Sequence, residues 1–106
     1  MRVQESKAFW VQIHLSGPLH RIEDACRSYC LGVGLCVTVT PTKFIYTGGE
    51  ESGAVVRLIN YPKFPTTPEV LLCTAIGLAD ALLVATYQHS VLIETPERIM
   101  WKTNRE

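Results

Sequence analysis

The sequence has no excess of charge of either sign. Its 106 residues include 10 Lys and Arg residues and 10 Asp and Glu residues. A nucleic-acid-binding domain usually carries a basic excess or a basic stripe, so we expect no nucleic-acid partner. The first nine residues are largely polar and do not resemble a signal peptide. The sequence therefore predicts a cytoplasmic location.

Short motifs that would define a reaction are also missing. The four cysteines, Cys26, Cys30, Cys36 and Cys73, show no CxxC spacing, and no HExxH occurs. Cys26 and Cys30 would share a helix face, but thiols in such positions more often serve as small buried apolar groups. The stretch "GGEESG" lacks the Lys and the following helix of a phosphate-binding loop. We expect no metal and no cofactor.

The longest apolar run, Val70 to Ala85, is too short for a membrane span. Such a span needs roughly 20 residues, and Asp80 within the run would cost about 3 kcal/mol at the centre of a bilayer. The run is more typical of a helix buried between a sheet and other subunits. We therefore expect no membrane partner, and we expect a homo-oligomer.

Apolar periodicity predicts strands and two helices. "AFWVQIHL" alternates as a strand does, and Leu19, Ile22, Cys26 and Tyr29 recur at helical spacing. "LCVTVT" and "KFIYT" predict two strands joined by a tight turn at Pro41, and "AVVRLIN" predicts another. In the second helix Thr66 is the expected N-cap, with Glu69 as its capping-box partner. "SVLIETPERIMWK" predicts strand, proline turn and strand.

Two segments of the chain repeat one pattern. "TPTKFIY" and "TPERIMW" share Thr-Pro, a basic residue, two apolar residues and an aromatic residue. The elements around them predict a single α+β domain with two β-α-β-β repeats, at residues 1–47 and 54–103. Each half would contribute a parallel strand pair to one mixed sheet, with both helices on one face. The alternative is a plain four-stranded ferredoxin-like domain in which one or both of the proline turns are only bends.

The repeated order of elements resembles the tautomerase superfamily, including its macrophage migration inhibitory factor-like and carboxymethyl-hydroxymuconate isomerase-like members. The resemblance runs from Phe9 to Trp101 and is carried mainly by "VTPTKFIYTGGEESGAVVRLI". It implies a homotrimer in which short strands extend the sheets of neighbouring subunits. It also implies an N-terminal catalytic proline, which this chain lacks. Lys7 or Ala8 stands at that position, and Lys7 is the candidate replacement base.

The missing proline favours a non-catalytic function. We expect a tautomerase-fold protein that binds a small anionic or aromatic ligand, or a protein partner, at subunit interfaces. The alternatives are an isomerase acting on keto-enol acids and a phage or mobile-element inhibitor. The candidate ligand-binding residues are Arg57, Tyr46, Trp101 and Tyr61, and the candidate interface residues are Trp10, Gln12 and His14. Arg57 could instead pair with Glu94 across the sheet.

Overall fold

A five-stranded antiparallel sheet carries two helices on one of its faces. The computed structural model describes residues 1–105. Its elements are β1 (Trp10–Ser16), α1 (Leu19–Val33), β2 (Thr38–Tyr46), β3 (Gly49–Ile59), α2 (Pro68–Thr86), β4 (Ser90–Glu94) and β5 (Ile99–Thr103). The strand order is β2-β3-β1-β4-β5. The predicted ferredoxin-like α+β class is therefore confirmed, with β5 added at the edge beside β4.

Alternation along the central strands gives the sheet a buried face and an open face. In β1, Val11, Ile13 and Leu15 are at most 2% exposed, as the alternating pattern predicted. The strand register places Val56 of β3 and Ile93 of β4 on either side of Ile13. These side chains form one core with the inner faces of the helices. No helix among residues 1–105 covers the opposite face.

Helix α2 supplies most of the helical part of the core. Its buried residues are Leu71, Ala75, Leu78, Ala79, Leu82, Leu83 and Thr86. Val70 and Val84 lie on its outer side, where they are 55% and 77% exposed. By length and composition alone α2 could span a membrane, but many core helices of globular proteins meet the same criterion. Its packing against β1 and β4 shows that it is a core helix here.

The predicted parallel strand pairs are not present in the part of the chain that the structure describes. Strands β1 and β2 run in the same direction, but β3 lies between them and pairs with both in antiparallel fashion. Strands β3 and β4 are separated by β1 in the same way. The helical crossovers therefore skip one strand each. The two predicted halves interleave in a single sheet instead of forming two side-by-side units.

The two Thr-Pro segments have different structures, so the sequence repeat is not a structural repeat. Pro41 lies inside the continuous strand β2 and pairs with Ala54. Proline is tolerated there because β2 is an edge strand, with one side of its backbone unpaired. Pro96, in contrast, lies in a tight turn closed by the bond from Thr95 N to Arg98 O at 2.8 Å. Only the second proline turn was predicted correctly.

Candidate functional site

A cavity of about 470 Å³ lies where β1 begins, α2 begins and the turn between β4 and β5 crosses the end of the sheet. Its volume is in the range typical of small-molecule sites. It is lined by Lys7, Ala8, Phe9, Trp10, Val11, Pro68, Glu69, Leu72, Thr95, Pro96, Glu97 and Arg98. We call it the strand-end cavity. It combines apolar walls, aromatic rings and two charged side chains of each sign.

Glu69 stands in the first turn of α2, at the cavity wall. The N-cap of α2 is Thr67, whose hydroxyl accepts a bond from Val70 N at 3.2 Å, and not Thr66 as predicted. Glu69 is therefore the second residue of the helix and is not placed to close a capping box. The positive end of the helix dipole favours a carboxylate here. Among residues 1–105, no hydrogen bond or ion pair holds the Glu69 carboxylate, which leaves it available to a ligand.

The turn from Thr95 to Arg98 forms another part of the cavity wall. The Thr95 hydroxyl accepts bonds from Glu97 N at 3.2 Å and from Arg98 N at 3.1 Å. These bonds fix the backbone of Glu97 and Arg98, two residues of opposite charge in the cavity lining. Neither side chain forms an ion pair with the described residues. The turn therefore presents both a carboxylate and a guanidinium to the cavity.

The N-terminal segment brings Lys7 and Trp10 into the same cavity. Lys7 is exposed and Trp10 is half-buried. Trp10 leads into β1 opposite Ile59 of β3. The structure thus places the predicted candidate base, Lys7, in the lining of the same cavity as Glu69 and Trp10. Two cations, two carboxylates and two aromatic residues in one lining suit a ligand that carries charges of both signs and a flat ring.

The four predicted ligand-binding residues do not come together. Tyr46 lies at the tip of the β2–β3 hairpin, 3.4 Å from Glu51 through its hydroxyl. Trp101 lies in β5, at the opposite edge of the sheet. Tyr61 packs against Phe64 with a ring-centroid distance of 6.1 Å. Arg57 lies exposed on the open face. None of the four lines the strand-end cavity.

The predicted pairing of Arg57 with Glu94 is wrong. Gln12 stands between them, paired with Arg57 on β3 and with Glu94 on β4. Glu94 instead lies 3.0 Å from His14 Nε2. The diagonal offset between neighbouring antiparallel strands brings His14 and Glu94 within reach of each other.

The predicted interface residues Trp10, Gln12 and His14 do share the open face of the sheet. His14 also lines a shallower cavity of about 410 Å³ on that face, together with Ser16, Phe44, Glu94 and Trp101. We call it the open-face cavity. Aromatic and apolar side chains on an uncovered sheet face are compatible with a subunit interface, and the interface role stays a prediction.

The cysteines and histidines do not assemble into a metal site. Within residues 1–105, no group of three or more His, Cys, Asp or Glu side chains is arranged to hold a metal ion. Cys26 is buried, and this burial raises the pKa of its thiol to about 11. A neutral buried thiol is a poor metal ligand and packs as a small apolar group.

Comparison with known proteins yields a structural similarity and no sequence match. No protein-family profile matches the chain, and no curated protein matches it. A solved structure of phage SAM lyase in its apo state is similar with a TM-score of 0.70 and 15% identity, over 92% of this chain and 90% of that one. A phage SAM lyase in complex with S-methyl-5'-thioadenosine is similar with a TM-score of 0.64 and 15% identity, over 97% and 95% of the two chains. At this identity the similarity defines the fold.

The predicted function, a tautomerase-fold protein that binds a ligand or a partner at subunit interfaces, is wrong. The similar structures are named as lyases, and neither name describes an isomerase or an inhibitor. They show that this scaffold is found in an enzyme, but they give no support to an isomerase or to a homotrimer. They do not bear on membership of the tautomerase superfamily itself. Oligomerisation stays a prediction.

Sequence reasoning missed most of the strand-end cavity. Glu69 was assigned to helix capping. With Thr67 as the N-cap and Pro68 as the first helical residue, Glu69 has no capping role, and its carboxylate is free to face a ligand. Glu97 and Arg98 were considered only as parts of a repeated strand. The signal that could have revealed them is their position in a proline turn, which fixes the backbone and leaves the side chains free.

Proposed function

We propose that the chain binds S-adenosylmethionine in the strand-end cavity and cleaves it to S-methyl-5'-thioadenosine (MTA). The observation that carries the proposal is the lining of this cavity, which holds two carboxylates, two cations and aromatic rings within about 470 Å³. The fold similarity to a phage SAM lyase, including one bound to MTA, supports the same ligand. A cavity with two carboxylates and two cations suits a ligand that carries charges of both signs, whereas the sequence had predicted an anionic or aromatic ligand.

Each part of S-adenosylmethionine has a complementary group in the cavity. Phe9 and Trp10 are the aromatic residues of the cavity lining, and adenine can stack on such side chains, as nucleobases do. Glu69 and Glu97 are the carboxylates available to the sulfonium and to the α-ammonium group. Lys7 and Arg98 are the cations available to the substrate carboxylate, which Arg can bind through two parallel bonds.

A lyase reaction on this substrate needs no water and no added base for balance. The bond between sulfur and the γ-carbon breaks with both electrons going to sulfur, so the sulfonium becomes the neutral thioether of MTA. The γ-carbon accepts the substrate's own carboxylate oxygen, which closes a lactone, so no proton has to be removed. A cavity contributes chiefly by holding the reacting groups in line, since orientation can supply much of a rate enhancement.

The charge change assigns Glu69 to binding. Positive charge on sulfur disappears as the bond breaks, so a carboxylate beside it stabilises the substrate more than the transition state. Removing that carboxylate should therefore weaken substrate binding without slowing the chemical step. Glu69→Gln should raise KM by about tenfold with a smaller change in kcat, as expected for the loss of an interaction worth about 1.4 kcal/mol.

The test is incubation of the protein with S-adenosylmethionine and chromatographic measurement of MTA. We expect MTA to form in proportion to protein, with the KM effect described for Glu69→Gln. Asp80→Asn is the matched control, because Asp80 lies on the outer side of α2 in an ion pair with Lys102. MTA formation no faster than in a protein-free sample would contradict the proposal. So would equal KM changes in the two variants.

A further inference from the structure

Asn60 is a buried polar residue that sequence reasoning had not assigned any task. It is 7% exposed and lies just after β3, at the start of the loop that leads to α2. Buried polar groups in folded proteins are usually hydrogen-bonded. A buried asparagine can donate and accept through its side chain at once, so it can join two segments that have no other contact.

Four hydrogen bonds connect Asn60 to both sides of the strand-end cavity. Its side-chain Nδ2 donates to Lys7 O at 2.8 Å, and its Oδ1 accepts from Thr66 N at 2.9 Å. Its backbone N donates to Phe9 O at 3.1 Å, and its backbone O accepts from Ser6 Oγ at 2.6 Å. Three bonds therefore reach residues 6–9, and one reaches the residue just before the N-cap of α2.

We propose that Asn60 is a positioning residue that holds the Lys7–Phe9 wall of the strand-end cavity in register with the start of α2. The inference rests on the proposed function for its ligand. The tie itself, meaning the four hydrogen bonds of Asn60, does not depend on that ligand. Residues 1–9 belong to no helix or strand, so they depend on such bonds for their position. Without these hydrogen bonds, Lys7 and Phe9 would lose their fixed placement in the cavity that Glu69 also lines, and a ligand would have to order them on binding.

Asn60→Asp separates the two functions of the side chain. A carboxylate oxygen can still accept from Thr66 N, but it cannot donate to Lys7 O and repels that carbonyl. We expect faster hydrogen exchange at the backbone amide of residue 60, because this N–H donates a hydrogen bond to Phe9 O in the wild type. The Thr66 amide and the core amides of β1 should keep their protection. This measurement needs no ligand.

The second part of the test measures ligand binding. We expect MTA to bind about tenfold more weakly to Asn60→Asp, and KM for S-adenosylmethionine to rise with a smaller change in kcat. Ser6→Ala removes one bond of the tie and leaves the buried side chain intact, so it should fold normally and lose about threefold in affinity. Asn104→Asp adds the same charge at an exposed site outside the cavity lining and should change neither quantity.

The outcomes separate the inference from the proposed function. Two results overturn the positioning role. One is an unchanged hydrogen-exchange rate at the residue-60 amide of Asn60→Asp. The other is faster exchange at that amide while the affinity for MTA stays within twofold of wild type. If Asn60→Asp does not fold, an unaltered affinity in Ser6→Ala overturns it. If wild type binds no MTA at all, the proposed function fails, and the exchange measurement alone still decides whether Asn60 holds the segment.

Discussion

His14 Nε2 lies 3.0 Å from Glu94 Oε1, across the open face of the sheet and outside the strand-end cavity. The two side chains come from the neighbouring strands β1 and β4, and 23% and 33% of their surfaces are exposed. Their position separates two kinds of polar group in this protein. One kind is paired across neighbouring strands, and the other lines the strand-end cavity without a hydrogen-bond or ion-pair partner among the described residues.

We expect the His14–Glu94 pair to contribute little to stability. Partly exposed ion pairs typically couple by about 0.2–1 kcal/mol. A double-mutant cycle with His14→Gln and Glu94→Gln, measured by urea unfolding, should give a coupling energy in this range. The more exposed Lys43–Glu50 pair, at 3.8 Å, should couple less and serves as the reference. A coupling above about 2 kcal/mol would show that the open face is much less solvated than the structure indicates.

Gly53 is predicted to be the least replaceable glycine in the sheet. A Cβ at this position would overlap the backbone oxygen of Leu15. The β1–β3 ladder would have to separate to accommodate it, so Gly53→Ala should destabilise the protein by about 3 kcal/mol or more.

The control for Gly53 is Gly32 in α1, where an added Cβ meets nothing within 4 Å. Gly32→Ala should stabilise by up to about 1 kcal/mol, because alanine loses less backbone entropy in a helix. Thermal unfolding of both variants checks the pair. Equal stability of wild type and Gly53→Ala would contradict the close approach of the two strands.

Cys26 should make stability depend on alkaline pH. Burial raises its pKa to about 11 from the ordinary 9.0. A folded-state pKa above the unfolded-state value favours the protonated thiol in the native protein. The resulting stability is fully present below the ordinary pKa of 9.0 and is lost as pH rises toward about 11.

The measurement for Cys26 is the free energy of unfolding at several pH values between about 8 and 11, for wild type and Cys26→Ala. The advantage of wild type over the variant should shrink as pH rises. A constant difference would mean that the thiol does not ionise on unfolding. Iodoacetamide should modify the exposed Cys36 and Cys73 in the native protein long before it reaches Cys26.

The sequence predicted those parts of the fold that depend on local pattern. Strict alternation placed Val11, Ile13 and Leu15 in the core, and the apolar run after Pro68 predicted α2. The hairpin at Pro41 failed for a non-local reason. Proline interrupts a central strand but not an edge strand, and which strand lies at the edge depends on how the whole sheet assembles.

The candidate site was harder to predict because its parts are distant in sequence. Lys7 was identified, but Glu69 and Arg98 line the same cavity only because of the path of β1, α2 and β4. Two adjacent threonines also made the start of α2 ambiguous, and assigning the cap to Thr66 gave Glu69 a structural task. A shift of one residue in the N-cap changed the expected role of this carboxylate.

The most direct test of the account is mapping of MTA onto wild-type protein by two-dimensional amide NMR. We expect saturable shifts in the amides of residues 7–11, 69–72 and 97–98, which surround the strand-end cavity. MTA has lost the sulfonium charge, so Glu69→Gln should change these shifts little, whereas Asn60→Asp should weaken them and Asp80→Asn should not. Shifts confined to the open face around His14 and Trp101, or to the outer side of α2 around Asp80, would contradict the proposed site. The absence of any shift at millimolar MTA would contradict the proposed ligand.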